Sequence, residues 1–252
     1  MMKRIFALVM AFACSAFALS GCFTLGDVTV GYTGTALRGN GNSVTVVNVI
    51  YEPIRRIEAA NVSVTLNISA ESSTSVIHTA DSNLDEHLSV SLKDGVLTID
   101  SNNRRYLGMD NSIIFTIGTD VLEGLKISGD AVINGDGTFT ADTFSLNISG
   151  VANGQLDLDA STVEMTVSGA GAFTLTGGTD KLDIRSSGAS SINTRGLLAR
   201  DAKVNLSGAG SVSVYASENL DMGITGVGSI TYFGSPDVSQ RITGIGSIRK
   251  GD

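Results

Sequence analysis

Tryptophan is absent from this 252-residue chain, and proline, cysteine and histidine occur twice each. Without tryptophan and with five tyrosines, the chain lacks the aromatic girdles of a membrane-spanning barrel. It also lacks the broad aromatic platforms that usually carry sugar binding. His78 and His87 stand nine residues apart with no cysteine to join them, a spacing unlike that of a zinc site; both read as exposed strand side chains. There is no nucleophile elbow, no phosphate-cradling glycine motif and no carboxylate–histidine pairing. The reading is therefore of a protein without catalysis, cofactor or metal.

Positive charge is also scarce. Lys and Arg number 17 against 25 Asp and Glu, a net charge of −8. Such an acidic body disfavours nucleic acid and anionic lipid surfaces as partners.

The first residues account for both cysteines. Lys3 and Arg4 precede an apolar run from Ile5 to Ala18, too short to span a bilayer, and then Leu19-Ser20-Gly21-Cys22. This is the layout of a secretory signal, and Leu-Ser-Gly-Cys resembles the bacterial lipobox. The resemblance implies cleavage before Cys22 and its acylation, with Cys14 discarded, no disulfide left, and a lipid anchor reaching the membrane. Loss of Lys3 and Arg4 shifts the balance to 15 − 25 = −10. Phe23, rather than aspartate, follows the cysteine, which implies sorting to the outer membrane of a cell envelope.

What the chain does have is a period. Ser128-Gly129, Ser149-Gly150, Ser168-Gly169, Ser187-Gly188, Ser207-Gly208, Thr225-Gly226 and Thr243-Gly244 follow one another at gaps of 21, 19, 19, 20, 18 and 18 residues. A period near 20 is that of a stacked repeat. Two residues before each glycine stand Ile127, Ile148, Val167, Ser186, Leu206, Ile224 and Ile242, and the columns four before and four after are equally apolar. Even offsets match the two-residue period of a strand. Two after the glycine only Ala, Gly or Ser occurs, suggesting a bend at which opposite walls approach. Parallel rungs stack like residues into ladders and an antiparallel meander does not, so the columns indicate a right-handed parallel β-helix-like solenoid of about seven rungs, a core of roughly 30–35 Å.

Ahead of the repeats lie short alternating runs: Val44–Ile50, Ile54–Ala59, Val62–Ile68, Ser75–Thr79, His87–Leu92, Val96–Ile99 and Ile113–Ile117. Lys93-Asp94-Gly95 reads as a hairpin turn, Ser101–Asn111 as an exposed loop, and Asn83–Glu86 as one possible helical turn. The division expected is residues 1–21 as signal peptide, 22–43 as lipidated cysteine and spacer, 44–118 as a strand-rich module and 119–252 as the repeat solenoid.

Ile57-Glu58-Ala59-Ala60-Asn61-Val62-Ser63-Val64, the stretch His87–Ile99, the Ser-Gly-x-Gly series and Gly228–Pro236 together resemble the autotransporter-adhesin "head GIN domain" family over roughly residues 50 to 252. The resemblance implies a β-rich, solenoid-like domain outside the cytoplasm, adhesin-like in role. It brings no catalytic residue.

Three sets of residues are candidates for function or architecture. The repeat glycines, Gly129, Gly150, Gly169, Gly188, Gly208, Gly226 and Gly244, mark the rung corners. Asp157 and Asp159 alternate with leucines and face outward; Asp180 and Asp183 lie one repeat on, beside Arg185. Stacking would bring these pairs together, where they could hold calcium or flank a sugar; ordinary solvating charge on a sheet is the plainer reading. The residue after each glycine is Asp130, Val151, Ala170, Ala189, Ala209, Val227 or Ile245. By alternation this strip faces outward and offers a partner surface. A glycine corner that reverses inside and outside would bury it, and this second reading is the favoured one. The partner expected is a protein or glycan surface, and the competing class is a polysaccharide-binding or carbohydrate-active β-helix protein.

Overall fold

The computed structural model describes residues 36–48, 50, 52–102, 105–108 and 112–252. The signal segment, Cys22 and most of the spacer lie outside the described residues. The strands are β1 (Ser43–Asn48), β2 (Arg56–Ala59), β3 (Ser63–Ser69), β4 (Ser75–Asp81), β5 (Leu88–Lys93), β6 (Val96–Ser101), β7 (Ile113–Gly118) and β8 (Gly124–Ile127). They continue as β9 (Asp130–Ile148), β10 (Val151–Val167), β11 (Ala170–Ser186), β12 (Ala189–Leu206), β13 (Ala209–Ile224), β14 (Val227–Gly234), β15 (Asp237–Ile242) and β16 (Ile245–Lys250). One short helix, α1 (Ser82–Asp85), falls at the expected turn.

From β8 onward every pairing is parallel and offset by one repeat, so Val151 sits on Asp130 and under Ala170. The fold is a β-solenoid of about seven turns. Each long strand bends mid-way, which gives every rung two walls. The first wall, made of the residues after each glycine, runs β1-β4-β7-β3-β9-β10-β11-β12-β13-β14-β16. The second, made of the residues before each glycine, begins β5-β6-β2-β8 and continues through the later halves of β9 to β13 and β15.

The strand-rich segment is interleaved with this coil. β2 and β3 form a rung with β6 and β7 on one side and β8 and β9 on the other. The chain therefore crosses from β7 to β8 past a rung it has already laid down. Thr119 fastens the crossing by donating from Oγ1 to the Ile54 carbonyl at 2.8 Å, fully buried. Asp94 and Gly95 both have positive φ, 52° and 75°, the dihedral pattern of a tight primed hairpin turn. The segment read as an exposed loop is not wholly so: Tyr106 and Leu107 are buried, and Leu107 bridges Leu37 and Val62. Leu37, Leu107 and Val62 thus continue the corner column that the glycines form further along.

The interior is a set of apolar ladders. Ile127, Ile148, Val167, Leu206 and Ile224 stack in one, with Leu125, Leu146, Met165, Ile184, Val204 and Met222 beside them, all buried. Burial contributes on the order of 25 cal/mol per Å² of apolar surface, which these ladders supply rung by rung.

The repeat glycines are needed for a reason the columns did not reveal. None has a left-handed φ, and the opposite wall is not what presses on them. A Cβ on Gly169 would lie 1.8 Å from the Gly150 carbonyl oxygen, and one on Gly208 would lie 1.9 Å from that of Gly188. The neighbouring rung excludes the side chain. At this corner the rungs close up while keeping backbone bonds such as Val151 N–H to Gly129 O at 3.0 Å.

Candidate functional site: an uncharged sheet face

The strip after the glycines is exposed, not buried. Val151 is 49% exposed, Val227 55% and Ile245 75%; Ala209 is exposed and Ala170 and Ala189 half-buried. The glycine corner does not reverse the inside/outside sense. Alternation therefore holds across it, and the residues three and five positions after each glycine share the same outward face.

Following the register across the first wall extends that face through the N-terminal strands. One column reads Thr45, Thr79, Ile114, Thr65, Val132, Asn153, Ala172, Ser191, Ser211, Ser229 and Ser247. The next reads Val47, Ile77, Thr116, Asn67, Asn134, Gln155, Thr174, Asn193, Ser213, Thr231 and Arg249. None is buried. Arg249 is the single charge in these two columns, and Asp130 begins the strip. Of the eight large hydrophobic side chains exposed among the described residues, five stand here: Val47, Ile114, Val151, Val227 and Ile245.

Polar side chains on this face bond along the coil. Thr45 and Thr79 hydroxyls lie 3.0 Å apart, Asn134 Nδ2 donates to Asn67 Oδ1 at 2.9 Å, and Asn153 Oδ1 accepts from the Ala172 N–H at 2.9 Å. Such bonds limit the rotamers that a partner would otherwise have to freeze.

The second wall is the opposite in character. Its outward face bears Glu58, Lys126, Glu164, Asp183, Arg185, Lys203 and Asp221, with Lys126–Glu58 at 3.2 Å and Lys203–Asp221 at 3.3 Å. A shallow groove of about 580 Å³ runs over it, lined by Glu164, Lys181, Asp183, Asp201 and Lys203 among others. Mixed charge in an open groove is what a solvated sheet face carries.

The acidic candidates do not come together. Asp157 sits between Thr138 and Thr176, and both hydroxyls donate to it at 2.6 Å. These bonds, Thr138 first, hold its carboxyl below the usual carboxylate range. Asp159 lies in a separate depression with Arg55, Glu123 and Asp142. Asp180 faces Arg200 at 3.5 Å; Arg200 is chiefly bound to Glu218 at 3.1 Å, which raises its pKa further. Asp183 pairs with Arg185 and stacks on Glu164 rather than on either aspartate of the earlier repeat. The register places Asp157 and Asp159 in the mid-rung bend, and Asp183 on the second wall. Among the described residues no group of three or more His, Cys, Asp or Glu is placed to hold a metal ion. No helix among them is long and apolar enough to cross a membrane.

His78 also departs from its expected place. It is 5% exposed, stacks on Phe115 with centroids 5.2 Å apart, and its Nε2 lies 2.9 Å from Asp85 Oδ1. Its Nδ1 meets Asn48 Nδ2 at 3.2 Å. A carboxylate–histidine pair therefore exists, formed because β4 turns directly into α1. With an amide, not a hydroxyl, at the other ring nitrogen, it braces the N-terminal strands. His87 is half-buried.

Sequence reading named the strip but favoured its burial, and it missed the two columns beside it. The signal was present in the repeats, where the positions three and five after each glycine carry no charge from Asn153 to Thr231. The strands β1, β4, β7 and β3 lack the glycine marker, so their membership of the face needs the pairing itself.

Among the described residues, stacked parallel rungs with one neutral wall and one charged wall define a β-solenoid. The family profile described as "Putative auto-transporter adhesin, head GIN domain" matches residues 53–236, and the chain belongs to that family. No curated protein matches it. Among solved structures it is similar to a putative adhesin from Bacteroides fragilis NCTC 9343, at 22% identity and TM-score 0.78, covering 85% of this chain and 100% of that one. A putative adhesin from Parabacteroides distasonis ATCC 8503 is similar at 24% identity and TM-score 0.64, covering 86% and 100%. A structure from the same organism described as a putative lipid binding protein is similar at 22% identity and TM-score 0.68, again covering 86% and 100%. At these identities the likeness concerns the fold.

Proposed function

We propose that this chain is a lipid-anchored protein of the outer membrane that works without catalysis, presenting the neutral wall of its solenoid as an adhesin-like contact surface. The observation that carries the reading is the continuity of that wall, eleven strands wide, with exposed aliphatic side chains among small hydroxyl and amide groups. Five of the eight large hydrophobic side chains exposed among the described residues lie on this one uncharged face, a bias that suits a contact surface. The anchor rests on Leu19-Ser20-Gly21-Cys22, and the adhesin-like role accords with the family.

The competing reading, a polysaccharide-binding module, draws on the hydroxyl and amide ladders of the same wall. The dispersal of Asp157, Asp159, Asp180 and Asp183 over separate surfaces speaks against its carbohydrate-active form.

The test is adherence of cells that display the full chain. Ser191→Lys with Ser211→Lys, both on the neutral wall, should reduce adherence several-fold, and Lys203→Glu on the charged wall should leave it unchanged. Equal adherence of the double serine variant, Lys203→Glu and the parent chain would sink the proposal.

A further inference from the structure

The charge pattern selects an occupant for the neutral wall. The chain carries a net charge of −8, and its charges gather on the second wall and at the bends. Two copies meeting by those faces would have to desolvate and match their charges, whereas wall to wall they meet without that penalty. We infer that the neutral wall is a homotypic contact whose partner is a second copy of this chain. This rests on the surface-contact reading above and names the partner of the same site.

Area agrees with this assignment. Eleven strands at about 4.8 Å span about 48 Å, and five residues at about 3.3 Å span about 16 Å. The face then offers roughly 770 Å² per copy, close to the ~800 Å² per partner of a standard stable interface.

Symmetry agrees as well. Homodimers usually form around a two-fold axis. An axis lying in the wall along β10, the sixth strand of the eleven, lays β1 of one copy on β16 of the other. The two charges at the face then avoid their own kind: Arg249 meets Val47, and Asp130 on β9 meets Ala170 on β11. Gln155, exposed on β10, meets itself.

The full chain, purified in a non-ionic detergent, is measured by sedimentation equilibrium. It should dimerise, and the association should hold or tighten as salt rises from about 0.05 to about 0.5 M, because screening relieves repulsion between the acidic bodies. Gln155→Glu and Gln155→Lys should each weaken dimerisation about tenfold or more by setting like charges face to face. An equimolar mixture of the two variants should recover it, and unchanged thermal melts show that the fold is intact. A chain that stays monomeric overturns the inference, as does a dimer that dissociates with salt or ignores both variants. Dextran serves as the neutral-glycan probe: dextran bound by a monomer through this wall overturns the homotypic contact and leaves the surface-contact reading standing. Wall variants that alter neither dimerisation, dextran binding nor cell adherence overturn both.

Discussion

Ser186 Oγ and Ser190 Oγ lie 2.7 Å apart inside the solenoid, both buried. Each departs from the repeat: Ser186 is the polar member of an otherwise apolar column, and Ser190 stands where most repeats have glycine or alanine. The two departures compensate, because each hydroxyl is the partner that burial demands of the other. Ser190→Ala should therefore destabilise by about 1–3 kcal/mol, the cost of an unpaired buried hydroxyl. The double change Ser186→Val with Ser190→Gly should recover much of that loss. Chemical denaturation of Ser186→Val, Ser190→Gly and the double variant gives the coupling, and strictly additive effects would show that the bond contributes nothing.

The glycine corner makes a second prediction. Gly208→Ala places a Cβ 1.9 Å from the Gly188 carbonyl oxygen and should cost several kcal/mol, since the rungs there cannot separate without losing their bonds. Gly178→Ala is the control. It has open space around its Cβ site and no left-handed φ, so it should be neutral or gain about 0.5 kcal/mol. Equal melting temperatures for the two variants would contradict the account of the corner.

Asp157 links three rungs through the Thr138 and Thr176 hydroxyls. Its pKa is lowered in the fold from 3.8, so its contribution is present above the unfolded value and fades as pH falls through the folded one. At this open site the contribution is a few tenths of a kcal/mol, up to about 1. Asp157→Asn should lower the melting temperature slightly at neutral pH and converge with the parent in acid. A difference that widens on acidification would show the opposite linkage.

The anchor predicts location. Cys22→Ser should move the full chain from the membrane fraction to the soluble fraction of fractionated cells. Retention on membranes despite the change would remove Cys22 as the point of attachment.

How much of this was legible beforehand depended on whether a residue's role was local. The columns at even offsets from Gly129 to Gly244 disclosed strands, their inner faces and their stacking, because each repeat restates the same pattern. The strands β3 to β7 were visible as alternating runs for the same reason. What stayed hidden required partners far along the chain. Burial of His78 depends on Phe115, and burial of Leu107 on Leu37 and Val62. The exposure of Ile245 and its fellows turned on the geometry of the corner, which composition does not encode. Least legible was the width of the neutral wall, since Val47 and Ile114 join it by antiparallel and parallel pairings that no repeat announces.

The crossing from β7 to β8 has a consequence for how the chain can be made. Because β2 and β3 end up sandwiched between segments that come later in the chain on both sides, a polypeptide emerging from its amino end holds that rung with two open edges until Gly118 and then Asp136 have followed. Assembly therefore cannot proceed as simple winding from one tip. It must wait for the hairpin and return strands to close one edge before the regular coil grows from the other, and a protein cut within residues 119–123 should yield two halves that are each left with a bare, sticky seam.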